Sequence, residues 1–72
     1  MLILDRLALL SLLVERQQSP VNLARRIGVS ASTIARLLER DRPVRIATLG
    51  KIAAALDVDY KKLLKESYDE TQ

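Results

Sequence analysis

Residues 20–39 read PVNLARRIGVSASTIARLLE, and this stretch decides the fold. Ser19 followed by Pro20 predicts a helix start, with serine as N-cap and proline in the first turn where its missing N–H costs nothing. Gly28 ends that helix, because glycine tolerates the left-handed backbone that other residues resist. Ser30 offers a second N-cap, so Ala31–Glu39 forms the next helix almost without a loop. Two short helices crossing steeply need a small residue at the closest approach, a glycine at the turn and a branched apolar residue packing back. Ala24, Gly28 and Ile34 meet these demands, and Leu23, Ile27, Val29 and Leu37 fill the remaining inward positions. The pattern is a helix-turn-helix.

On the N-terminal side, 11 of the 14 residues Met1–Val14 are apolar. Asp5 and Arg6 break this run, which falls short of the ~20 residues a membrane span requires. It also lacks the flanks of a signal peptide, so the reading is a cytoplasmic protein with no membrane contact. A first helix is expected from about residue 2 to Gln17, with Ile3, Leu7, Leu10 and Val14 facing the core. Leu2, Leu9, Leu12 and Leu13 exceed what one buried stripe needs. Either neighbours wrap this helix on both sides, or the surplus forms a self-association patch.

On the C-terminal side, Arg40-Asp41-Arg42-Pro43 reads as a charged loop, since proline turns the preceding residue away from helix. A fourth helix follows from Arg45 or Ile46 to Leu56, with Leu49, Ile52, Ala53 and Leu56 inward and Gly50 as a site of close packing. Asp59 caps a last short helix, Tyr60–Lys65, which presses Leu63 or Leu64 onto the core, with Tyr60 as a plug at its edge. Residues 66–72 read as a polar, frayed tail. The expected fold is all-α, a compact five-helix bundle over residues 1–65.

Composition narrows the function. The 72 residues contain no cysteine and no histidine. That removes disulfides, thiolate metal sites and the usual general base and zinc ligand. No enzyme, metal or cofactor is expected, and so small a chain leaves little room for a ligand pocket. The net charge of +3 is concentrated. Residues 19–45 carry six arginines against Glu39 and Asp41, a local charge of +4. Arginine donates two bonds at once to phosphates and base edges, although exposed arginines also serve solubility.

The run Leu23-Ala24-x-x-Ile27-Gly28-Val29-Ser30-x-Ser32-Thr33-Ile34 resembles the helix-turn-helix family of phage Cro proteins and phage repressors, within the lambda-repressor-like group. Lys51-Ile52-Ala53-x-Ala55-Leu56-x-Val58 is similar to the same family. The resemblance covers about residues 19–65. The chain has Pro20 where many relatives carry glutamine, and Leu38 where many carry glutamate. Arg36-Leu37-Leu38 and Arg42-Pro43-Val44 look more like the lac-repressor branch.

The resemblance implies a small transcriptional repressor that places its third helix in the major groove of double-stranded DNA. It assigns base contact to Ala31, Ser32, Thr33, Ala35 and Arg36. Arg36 suits a guanine, Ser32 or Thr33 a base or a phosphate, and the alanines a thymine methyl. Phosphates would meet the N–H groups near Pro20, Val21 and Ser30, and the side chains of Arg40, Arg42 and Arg45. Arg25 and Arg26 either touch phosphate or pair with Glu39 or Asp41. One half-site discriminates poorly, so a homodimer on a palindromic operator is expected, with the first helix a candidate interface. The rival expectation is an antitoxin-type module that holds a protein partner.

Overall fold

A computed structural model describes residues 2–65. Four α-helices carry the fold: α1 (Arg6–Glu15), α2 (Pro20–Ile27), α3 (Ala31–Glu39) and α4 (Ile46–Leu56). A single 3-10 turn, Tyr60–Leu63, follows α4. Two short antiparallel strands, β1 (Ile3–Leu4) and β2 (Arg42–Pro43), pair Ile3 with Pro43 and Leu4 with Arg42. The expected helical bundle is thus present among the described residues, with four α-helices, a 3-10 turn in place of the fifth helix, and a small sheet that an all-α fold did not foresee. The expected polar tail, 66–72, lies outside the described residues.

The first helix starts later than its composition implied. Asp5 is its N-cap, and its carboxylate accepts the Leu7 and Ala8 N–H groups at 3.0 and 3.3 Å. Leu2 and Ile3 are thereby released to bond outward: Val44 N–H donates to Leu2 O at 3.0 Å, and Lys65 N–H to Ile3 O at 2.9 Å. The helix closes before Gln17, which turns left-handed at φ 56°.

The inward face also differs from the expected one. Leu9 and Leu13 are buried and Leu12 half-buried, while Leu7, Leu10 and Val14 are 57%, 44% and 69% exposed. The expected seam thus points largely to solvent, and the supposed surplus leucines build the core. Between Arg6 and Glu15 at its ends, α1 carries a single polar residue, Ser11, so periodicity had little direction to reveal.

The centre follows its local signals. Ser19 Oγ accepts Asn22 N–H at 3.0 Å and Ser30 Oγ accepts Thr33 N–H at 3.3 Å. Gly28 takes φ 77°, and Val29 N–H beyond it closes onto Ala24 O at 3.0 Å. Leu23, Ala24, Ile27, Ile34 and Leu37 are all buried, with Val29 packed at their edge. α2 packs against both α3 and α4, and α1 closes over α3.

Behind this pair, Leu49, Ile52, Ala53 and Leu56 of α4 are buried as expected. Gly50 does not serve close packing, since a Cβ there would meet nothing within 4 Å. Asp59 caps the last turn by accepting Lys61 N–H at 2.9 Å, but only the tight 3-10 form occurs. Leu64 then leaves it to bridge Leu4, so both Leu63 and Leu64 reach the core. Tyr60 stays 47% exposed at the edge of a cleft with Leu2, Ile46 and Leu49. No buried polar residue interrupts the core among the described residues.

Candidate nucleic-acid interface

Because α3 turns Ile34 and Leu37 inward, its outer face consists of Ala31, Ser32, Ala35 and Arg36, all exposed. Two alanines and a serine keep that face low, so a partner surface approaches the backbone closely. Arg36 stands above them without a carboxylate among the described residues. Thr33 is half-buried, and its hydroxyl shares a 2.9 Å hydrogen bond with Ser30 Oγ. Ser32 Oγ joins Ser30 Oγ at 3.0 Å. These three hydroxyls secure the helix start, which confirms Ser30 as a cap.

Serine capping leaves donors over. The cap takes Thr33 N–H, so Ala31 and Ser32 N–H remain at the positive end of α3. In α2 the cap takes Asn22 N–H and Pro20 has none, which leaves Val21 N–H. An anion's oxygen fits such a donor set. Pro20 is half-buried and Val21 exposed at that end.

The arginines divide by setting. Arg25, Arg26, Arg40 and Arg45 are exposed, and none forms an ion pair among the described residues. Both carboxylates that sequence offered to Arg25 and Arg26 are engaged elsewhere. Glu39 lies 3.6 Å from Arg42 Nη2, and Asp41 accepts Lys65 Nζ at 2.5 Å and Arg6 N–H at 2.9 Å. Arg42 is not a free loop side chain: it sits in β2, 24% exposed, with its Nε buried and unpartnered.

Asp41 is the residue that sequence reasoning missed. Its carboxylate joins the segment after α3 to the first N–H of α1 and to Lys65 near the end of the described chain. The Lys65 ammonium and then the Arg6 N–H hold the carboxyl below the ordinary carboxylate range, and Lys65 is raised in return. No local pattern announces partners so distant in sequence.

Residues 8–66 match the model of the Cro/C1-type helix-turn-helix DNA-binding domain. The chain belongs to this family. Two solved structures resemble this Cro/C1-type domain. A candidate DNA-binding protein from Bacteroides fragilis is 30% identical, with a TM-score of 0.73, over 88% of this chain and 98% of that one. The transcriptional regulator VanUg is 26% identical, with a TM-score of 0.72, over 90% of this chain and 87% of that one. No curated protein gives a significant match to the sequence. Among the described residues, no helix of this Cro/C1-type domain is long and apolar enough to cross a membrane.

Proposed function

We propose that this Cro/C1-type domain is a sequence-specific, double-stranded DNA-binding transcriptional repressor, acting in the cytoplasm with α3 in the major groove. One observation carries the reading: the low outer face Ala31-Ser32-Ala35 with Arg36 beside it, free of any ion pair among the described residues. Such a face lets the helix enter the groove deeply enough for a guanidinium to reach a guanine edge. The N–H groups of Val21, Ala31 and Ser32, with Arg25, Arg40 and Arg45, meet the flanking phosphates. Arg42 meets one only as its Glu39 contact allows.

A palindromic operator calls for a two-fold dimer. The exposed stripe Leu7, Leu10 and Val14 on α1 is the surface proposed for it, in place of the buried Leu9 and the half-buried Leu12. Selection of bound sequences from a random duplex pool tests the reading. An enriched palindrome with a guanine in each half-site is expected. Retention of duplexes without any sequence preference would reduce the function to nonspecific binding and overturn it.

A further inference from the structure

Between the last turn of α2 and the second half of α4 lies an open groove of about 420 Å³. Ile27, Ala54 and Ala55 form its floor, and Arg26 and Lys51 stand at its rim. Both cations are exposed, and neither has a carboxylate partner among the described residues. Four basic side chains, Arg16, Arg42, Lys61 and Lys65, each lie against an acid. Arg26 and Lys51 share the unpaired state of Arg25, Arg36, Arg40 and Arg45 among the described residues, but are the two that border this groove. No residue of α3 lines the groove, so the base-reading face and this one are separate surfaces.

We infer that this groove is a docking site for an acidic segment of a partner protein that presents one bulky apolar side chain. The apolar side chain covers the Ile27-Ala54-Ala55 floor, which water penalises. Carboxylates on either side of it meet Arg26 and Lys51, and a like-charged partner is turned away. Charge complementarity selects an acidic occupant, and the small floor residues select a single large side chain over a broad apolar face. Arg26 thereby acts at a protein contact instead of the phosphate contact expected from sequence.

The test selects a random peptide library displayed on phage against the full chain. A synthetic copy of the most enriched peptide is then titrated into labelled protein. Enrichment of one leucine or aromatic residue flanked by aspartate or glutamate is expected, with amide shifts confined to Ile27, Lys51, Ala54, Ala55 and their neighbours. Arg26→Gln with Lys51→Gln should weaken the peptide by about tenfold, the scale of two exposed charge contacts, and weaken operator and random duplex alike by clearly less than that, the loss that the lower net charge alone brings. Ala54→Trp should block the peptide without any change of charge, and circular dichroism of each variant confirms that it is folded. Three results would overturn the inference: no acidic preference, shifts on another face, or operator affinity falling as far as peptide affinity. The last would give both cations to the DNA backbone. An operator selection that fails while peptide binding persists would sink the DNA-binding reading alone.

Discussion

Ala24 is 2% exposed between Leu23 and Ile27, on the face that α2 turns to the core. Leucine at that position adds three heavy atoms to a site already closed off from solvent. Overpacking of this kind costs about 1–3 kcal/mol. For a domain under a hundred residues, that lowers the melting temperature by roughly 5–20 °C. Thermal circular dichroism of Ala24→Leu reads it, and a melt matching the parent would mean that the helices do not meet closely there. At the same scale, Arg36 and Arg45 are both exposed and without an ion pair among the described residues, yet they should behave differently on DNA. Arg36→Ala is expected to cost about 1–3 kcal/mol on the preferred site and to relax the preference at one base pair. Arg45→Ala should weaken all duplexes alike and reduce the salt slope by about one contact. Titrations of operator and random duplex at several salt concentrations separate the two. Equal losses from Arg36→Ala on both duplexes would remove it from base reading.

Elements differ in how far local sequence determines them. α2 and α3 each start at a serine cap, and their junction turns on one glycine, so bounds and inward faces are legible from residues 19–39 alone. α1 is the opposite case. With leucines on every side, the choice between Leu9-Leu13 and Leu7-Leu10-Val14 as the inner face falls to tertiary contacts. Those contacts begin with Asp5, whose capping role is masked by apolar neighbours, and with β1, two residues long and paired only across the helix-turn-helix. A pair of substitutions reports which face is which. Leu9→Glu places a carboxylate in a fully buried site and should cost at least about 3 kcal/mol, leaving the chain largely unfolded. Leu10→Glu falls on a 44% exposed position and should change the stability of the monomer, read at protein concentrations too low for the proposed dimer, by no more than about 0.5 kcal/mol. Urea unfolding measures both, and a Leu10→Glu variant as unstable as Leu9→Glu would return the outer stripe to the core. The outer face of α3, where base contact is proposed, was legible because it is whatever the inward residues leave outside. The state of Arg42 was not, since its strand and its contact with Glu39 follow from the pairing with β1.

Across the whole molecule, one polar junction ties the chain's beginning to its described end. Asp41 accepts from Arg6 N–H and from Lys65, while Asp5 N–H donates to Leu63 O at 2.8 Å and Lys65 N–H to Ile3 O. The segment from Arg40 to Arg45, which links α3 to α4, is thus held from outside the helix-turn-helix. The Asp41 carboxyl is held low in the folded state, first by Lys65 and then by Arg6 N–H. Its contribution to stability is therefore complete above the ordinary carboxylate pKa and fades as pH falls through the lower folded value. Lys65 is raised by its hydrogen bond to Asp41, so its share is complete below the ordinary lysine pKa and is lost as pH climbs through the raised value. Asp41→Asn removes the acid-side term and leaves Lys65 without its anion. Thermal melts across the pH range should show the parent losing more stability than Asp41→Asn toward acid, and the two curves converging at the lowest pH. At neutral pH the variant should be the less stable of the two. It should also bind operator more weakly, because the linker that carries Arg40 and Arg45 has lost its anchor. If the acid limbs of the two curves run parallel, the Asp41–Lys65 contact adds nothing in solution, and the linker is held by its strand pairing alone.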